Sequence, residues 1–534
     1  MKQTDKALDK NRPGQEQGLS FWQCFARNWL YSRDLPGLRP YLYIIPFFLA
    51  YLVLDFSLRF TYRGMGIVGV KYLPAGLFTL GWALVFAGLV AFTHIHYFPV
   101  VDRMIWETSP EENQRMAYHE FNDTTNALMV SGLYQYTVRD LGRLLFPQDT
   151  MTDGERQQID DYVAEYEAAQ KDNAYTGLLA GKNVIMVQLE AIDTWMLQEA
   201  YMPNLAKLKS EGLVFTNHYT PAYISAGTFN TEFMTNSGLL PATGGISTSV
   251  YTENAFPYSM ANLFRQAGYT ARSFHNSDGQ VYDRGLIHPN LGYEKYYGGY
   301  DMQMESYQLD RHLINGFDEM TEGDPFYSFV ITYSAHGPYG EENGVYQAHA
   351  EEAQAAAQRT DGNYVYAVAG AMETDLFIGE LVDRLTQEGL LEDTVLIFYA
   401  DHYDYYMMDD QLNMQIKGVD NGNLLQHTDF FIWSADLAPT QIDKVTSSLD
   451  VLPTVANLFG LDTSGAFLAG HDGLGDQGGY VFFSDGSWYD GTTYWSSKNG
   501  GAGDEARSAE INRITTLSNR VLAGNYYGTA EQSP

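Results

Sequence analysis

Cysteine is almost missing: Cys24 is the only one in 534 residues. No intramolecular disulfide is possible, which excludes secreted disulfide scaffolds and cysteine-built zinc sites. Basic residues are scarce as well. There are 32 Lys plus Arg against 66 Asp plus Glu, a formal net charge of −34. Phosphate backbones need a basic footprint, so this balance argues against nucleic acid as a partner. It also predicts repulsion from anionic lipid headgroups unless a cation intervenes, although an acidic surface equally serves plain solubility. The length exceeds that of one ordinary domain, so two or three are expected.

What is present begins with a polar stretch of mixed charge, residues 1–38, read as a cytoplasmic tail. Apolar runs follow at 41–60 and 73–93. Each has about the length that crosses a bilayer core, and neither shows a polar face. Residues 39–98 are therefore expected to be transmembrane helices, with Arg27, Arg33 and Arg39 on the cytoplasmic side. Two spans bring the chain back to the cytoplasm, whereas the later segments suit a domain outside the cell. Residues 99–181 read as a helical linker, most regular from Ser131 and from Ile159.

From Lys182 the pattern changes. Strand-like apolar runs at 184–189, 213–219, 269–274, 326–332, 395–399, 430–433 and 480–483 alternate with helical stretches at 203–210, 229–237, 258–267 and 364–388. Such alternation predicts a largely parallel sheet with helices on both faces, here over residues 182–498. Runs after about residue 466 lack long crossovers and predict a small antiparallel appendage. Residues 499–534 read as a helix at 511–522 and a disordered end.

Several of these strands end in groups that carry chemistry. Val184-Ile-Met-Val-Gln-Leu runs into Glu190, and Val395-Leu-Ile-Phe-Tyr-Ala runs into Asp401 and His402. In open α/β sheets ligands sit beyond the carboxyl ends of the strands. Glu, Asp and His together make a hard donor set suited to Mn²⁺, Mg²⁺ or Zn²⁺. After the second strand, Gly227-Thr228 opens a helix. A threonine there is either a plain N-cap or, with a cation beside it, a nucleophile. His275 and Arg284 follow the third strand and His336 follows the fourth. The guanidinium fork matches two phosphoryl oxygens.

In this order and spacing, the motifs resemble the lipoteichoic acid synthase family, in the sulfatase-like branch of the alkaline phosphatase superfamily. The pieces are Asn183-Val-Ile-Met-Val-Gln-Leu-Glu190, Pro203-Asn-Leu-Ala-Lys-Leu, Gly227-Thr228 with Glu232-Phe233, and Phe274-His275. Tyr282-Asp-Arg284, Gly292-Tyr-Glu-Lys-Tyr-Tyr297, Tyr399-Ala-Asp401-His402-Tyr403 and Asp450-Val-Leu-Pro453-Thr454 complete them. The resemblance implies an α/β/α sandwich of alkaline phosphatase/sulfatase type outside the cell, on a multi-pass membrane anchor. It implies Mn²⁺ held by Glu190, Thr228, Asp401 and His402, and a substrate pocket of His275, Tyr282, Arg284 and His336. The implied reaction takes phosphatidylglycerol. Thr228 attacks phosphorus, diacylglycerol leaves, and a glycerol hydroxyl at the tip of a growing glycolipid-borne polyglycerolphosphate chain displaces the threonine. Two pocket positions depart from the family: Tyr282 stands where tryptophan is usual, and Ser277 where an aspartate is usual. The family also has five spans where two are legible here.

Rival readings stay within reach of the residues. A sulfatase needs Cys or Ser in a Cys/Ser-x-Pro-x-Arg motif, which Thr228 does not head. Phosphoethanolamine transferases share the threonine but carry several disulfides. A phosphodiesterase would use water as acceptor. A non-catalytic membrane-anchored binding protein would have no reason to keep all four metal-site residues.

Overall fold

In the computed structural model the described residues are 151–528, without 225–226, 244–249, 360–361 and 497–504, plus isolated positions before 151. The expected tail, spans and most of the expected linker lie outside them. Among the described residues no helix is long and apolar enough to cross a membrane.

The chain runs α1 (Asp153–Ala169), β1 (Asn183–Leu189), α2 (Pro203–Glu211), β2 (Leu213–Tyr219), α3 (Gly227–Ser237), α4 (Met260–Gln266) and β3 (Thr270–His275). It continues through β4 (Tyr296–Tyr297), β5 (Phe326–Ile331), α5 (Gly344–Ala357), α6 (Gly362–Gln387), β6 (Thr394–Ala400), α7 (Asp410–Lys417), β7 (His427–Trp433), β8 (Thr440–Ser447) and α8 (Ser448–Phe459). Short strands β9 (Val481–Phe482), β10 (Trp488–Tyr489) and β11 (Tyr494–Trp495) precede α9 (Glu505–Ala523).

Among the described residues the main sheet has eight strands in the order β4-β3-β5-β1-β6-β7-β2-β8. β7 runs antiparallel to both β6 and β2, and the other pairings are parallel. The expectation of a largely parallel sheet therefore holds with one reversed strand, and β9–β11 form the small antiparallel appendage.

Both faces of the sheet are covered, since its central strands β1, β5 and β6 are buried at nearly every position, not every second one. Side chains alternate across a strand. Val184 and Met186 of β1, with Val395, Ile397 and Tyr399 of β6, face α1, α3, α4, α8 and α9. Ile185, Val187 and Leu189, with Leu396 and Phe398, face α2, α5 and α6. The result is a three-layer α/β/α sandwich. α1 is locked at its start by a reciprocal cap between Thr152 and Glu155. Its Ile159, Tyr162, Val163 and Tyr166 are buried on the first face, and Tyr162 donates to the Leu468 carbonyl at 2.9 Å.

Candidate active site

Register brings the first two groups together. β1 and β6 pair in parallel with Leu189 opposite Ala400, so the next residues of each, Glu190 and Asp401, leave the sheet side by side. The turn after Glu190 is tight: Ala191 has φ of 52°, and its N–H donates to Asp401 Oδ1 at 2.8 Å. A non-glycine residue held left-handed at a strand end is local strain, stored where a site is built. α3 is tied down at the same place. Gln188 Nε2 donates to the Thr228 carbonyl at 3.2 Å, and Thr231 Oγ1 donates to the Asp401 carbonyl at 2.6 Å. The Tyr399 hydroxyl donates to Gln188 Oε1 at 3.1 Å and pairs with Thr235 Oγ1 at 2.8 Å.

These ties bring Glu190, Thr228, Asp401 and His402 into one buried group. Thr228 Oγ1 donates to Glu190 Oε2 at 3.1 Å. His402 Nε2 lies 3.3 Å from Glu190 Oε1 and 3.4 Å from Asp401 Oδ2. The imidazole is oriented by its other nitrogen, which donates to the Tyr403 carbonyl at 2.9 Å and leaves Nε2 turned to the carboxylates. One ligand atom from each of Glu190, Asp401 and His402 falls within 4.8 Å of the others.

A divalent cation fits this donor set. Glu190 Oε1 and Asp401 Oδ2 are buried and make no hydrogen bond, an arrangement proteins avoid unless something else satisfies the oxygens. The protonation states point the same way. Burial first, and then the Glu190 charge, push the Asp401 carboxyl well above the usual range. Burial opposes ionisation of Glu190 as well, but His402 and then His336 outweigh it and hold Glu190 down at about 2. Against burial, the nearby carboxylates of Asp401 and Glu190 raise His402 to about 10. With these shifts the group is neutral only because Asp401 and His402 hold protons, which a divalent cation would replace.

The other expected site residues are found in different states. His275 Nδ1 donates to the Ile331 carbonyl at 2.9 Å. Burial, then the Arg284 charge, lower it to about 3, so the ring is neutral and Nε2 is an acceptor. His336 is half-buried, stacked on Tyr333 with centroids 5.0 Å apart. Tyr282 has φ of 56° and lays its ring over the Arg284 guanidinium at 4.9 Å.

Arg284 itself is not an open phosphate fork. It is 1% exposed, and its Nε and Nη2 grip both oxygens of Glu232 at 2.8–3.2 Å. His288 Nε2 holds Glu232 Oε1 at 2.7 Å, and its Nδ1 meets Ser273 Oγ at 2.8 Å. Ser277 sits 3.4 Å from the Tyr296 hydroxyl through its Oγ.

Sequence reasoning passed over three tyrosines here. Tyr405 stacks on His402 at 4.3 Å and brings its hydroxyl within 3.2 Å of His402 Nε2. Tyr406 follows it, and Tyr333 lies beyond His336. With 40 tyrosines in the chain, no local signal separates these from the rest. Gly227 makes room for this packing, since a Cβ there would come within 3.2 Å of both His402 Cδ2 and the Tyr405 hydroxyl. A separate cavity of about 210 Å³ lies between the end of α1 and residues 472–477 and contains none of these groups.

The three-layer sandwich, with acidic and imidazole groups beyond its strand ends and a hydroxyl at a helix start, is a fold of alkaline phosphatase/sulfatase type. The profile of the Sulfatase family matches residues 182–461, more than half of the chain, and the chain belongs to that family. It is distantly similar to lipoteichoic acid synthases. Lipoteichoic acid synthase 2 of Bacillus subtilis is 25% identical over 344 residues, covering 60% of this chain and 51% of that protein. Lipoteichoic acid synthase of Staphylococcus saprophyticus is 26% identical over 318 residues, covering 56% and 48%. The chain thus spans about half the length of these relatives. In fold it is similar to the lipoteichoic acid synthase LtaP of Listeria monocytogenes, with a TM-score of 0.54 and 22% identity over 71% of this chain and 99% of that one. It is also similar to an alkaline phosphatase superfamily protein of Vibrio parahaemolyticus, with a TM-score of 0.52 and 16% identity over 71% and 98%.

Proposed function

We propose that this chain is a membrane-anchored phosphoglycerol transferase, with phosphatidylglycerol as donor and Thr228 as nucleophile, acting in the assembly of polyglycerolphosphate chains of the cell envelope. In this reading residues 39–98 anchor the chain, and residues 182–498 carry the chemistry outside the cell. The observation that carries it is the Thr228 hydroxyl, buried at the first turn of α3 and hydrogen-bonded at 3.1 Å to Glu190, a member of the candidate metal trio.

The chain's residues divide the work. Glu190, Asp401 and His402, joined by Thr228 Oγ1, would hold a divalent ion, with Mn²⁺ suited to mixed oxygen and nitrogen donors. Such an ion, when bound, lowers the cost of charge on the threonine oxygen and on the phosphoryl oxygens. Thr228 stands at a helix N-terminus, where unpaired N–H groups favour an anion. Its oxygen forms the bond to phosphorus, the bond to the diacylglycerol oxygen breaks, the threonine's proton ends on that released oxygen, and a glycerophospho-threonine results. An acceptor hydroxyl then forms its own bond to phosphorus as the Thr228 bond breaks. Neutral His275 offers Nε2 as an acceptor for a glycerol hydroxyl, and the Tyr282 ring covers the Arg284–Glu232 pair at the pocket wall. Phosphoryl transfer asks for positioning and charge neutralisation above all, and these groups provide both.

The test is mass spectrometry of the chain after incubation with phosphatidylglycerol and Mn²⁺. A glycerophosphate increment on the peptide containing Thr228, with diacylglycerol released, is the expected result. Thr228→Ala abolishes both. Release at the wild-type rate from Thr228→Ala refutes the nucleophile.

A further inference from the structure

The two turns that carry Glu190, Asp401 and His402 are tied to each other twice. The first tie, at the sheet edge, is the Ala191 N–H on Asp401 Oδ1. The second lies further along both turns, where Asp193 Oδ2 accepts the Asp404 N–H at 3.2 Å. His402 sits between the two ties, with its Nδ1 on the Tyr403 carbonyl. That carbonyl and the Asp404 N–H are the two ends of one planar peptide group. A single peptide therefore takes the imidazole proton on its oxygen and gives its own hydrogen to Asp193.

Asp193 is fixed in turn. It is fully buried, and Lys417 Nζ donates to its Oδ1 at 2.5 Å. The same ammonium donates to the Leu425 and His427 carbonyls at 2.7 and 2.5 Å. Asn413 stands four residues before Lys417, on the same face of α7. It donates to the Asp404 carbonyl at 2.9 Å, so α7 clamps both turns from outside. In so dry a place, a carboxylate on a peptide N–H polarises the group and strengthens its carbonyl as an acceptor, by about 10–30% per bond. Metal-binding imidazoles rest their second nitrogen on a carboxylate or a backbone carbonyl. Here the carbonyl does so, with the carboxylate one peptide behind it.

We propose that Asp193 is a positioning residue for the metal trio, acting on His402 through the peptide between Tyr403 and Asp404. The inference rests on the reading of Glu190, Asp401 and His402 as a divalent-cation site, and it is independent of the substrate. The Asp193 carboxylate fixes the plane of that peptide. The peptide oxygen holds the imidazole proton at Nδ1 and turns Nε2 toward Glu190 and Asp401. Lys417 keeps the carboxylate aimed. A buried ion pair that served stability alone would not need its second oxygen on the peptide beside a metal ligand.

Mn²⁺ binding to the full chain tests it, followed by the paramagnetic resonance of the free ion. Two double variants are compared, Asp193→Asn/Lys417→Met and Asp193→Ala/Lys417→Met. Both lose the ion pair, and only the first keeps an oxygen for the Asp404 N–H. The alanine variant is expected to bind Mn²⁺ about tenfold to a hundredfold more weakly than the wild type, the scale of a lost partner behind a metal ligand. The asparagine variant is expected to bind about tenfold tighter than the alanine one. Metal-free thermal unfolding verifies that both are folded. Equal Mn²⁺ affinity in the two folded variants overturns the relay alone, leaving the pair a structural one. A wild type that takes up no Mn²⁺ overturns the metal site and the inference with it. Hydrogen exchange in the wild type needs no variant. The Asp404 amide is expected to exchange slowly, and exchange at the rate of an unprotected amide overturns the inference even where the alanine variant does not fold.

Discussion

One turn of α3 separates two buried charge clusters. Thr228 meets Glu190, Asp401 and His402; Glu232, four residues on, meets Arg284 and His288. Both are close to fully buried. The second is self-sufficient: each Glu232 oxygen has a donor, and its carboxylate sits at about 2 because Arg284 and His288 outweigh burial. The first has two carboxylate oxygens without a hydrogen bond and a carboxyl pushed upward. Burial alone therefore does not mark a ligand site. Unfilled acceptors combined with a carboxyl that burial leaves protonated do. The satisfied cluster serves the unsatisfied one by anchoring the helix that presents Thr228.

That contrast can be broken from either side. The largest effect is expected from Arg284→Ala, which strands the Glu232 charge in the core. A loss of about 3–5 kcal/mol in urea unfolding follows from removing one partner of a buried ion pair. A loss under about 1 kcal/mol would show that the pair is not the structural anchor. On the other side, Mn²⁺ at about a hundred times its Kd should raise stability by about 2.7 kcal/mol, and Asp401→Asn should forfeit that gain. An undiminished gain in Asp401→Asn removes the trio as the metal site. Acid provides the finest distinction. Glu232 is depressed from 4.5 to about 2, so its contribution is complete above about pH 4.5 and fades as pH falls toward 2. The stability gap between wild type and Glu232→Gln should be flat from pH 7 to 5 and shrink by about 1 kcal/mol near pH 3.5. A gap that instead widens on acidification reverses the sign and the assignment.

Much of this molecule was readable in its residue order. The runs at 184–189, 213–219 and 395–399 became β1, β2 and β6 with shifts of at most one residue. Short runs of buried apolar side chains bounded by turn residues read as strands of a two-sided sheet. β8 escaped notice because its first half alternates between half-buried and exposed at the sheet edge, so Thr440-Gln-Ile-Asp-Lys looks like a loop. β4 has only two residues and no pattern to show. The reversal of β7 was also out of reach, because an apolar run reads alike in both directions. At the site, Glu190 and Asp401 were legible as polar ends of apolar strands. Arg284 was legible as a cation but not as Glu232's partner, since 52 residues separate them.

The chain's own order of residues determined the layered α/β class, which strands end in acid or imidazole, and that a threonine opens the helix between them. Those are local facts, written in hydrophobic period and in strand or helix boundaries. Folding alone decided that Leu189 and Ala400 share a register, that Arg284 is consumed by Glu232, and that Asp193 reaches the peptide beside His402. Each of these depends on distance in space between segments far apart in the chain, and on which charges find partners once water is gone.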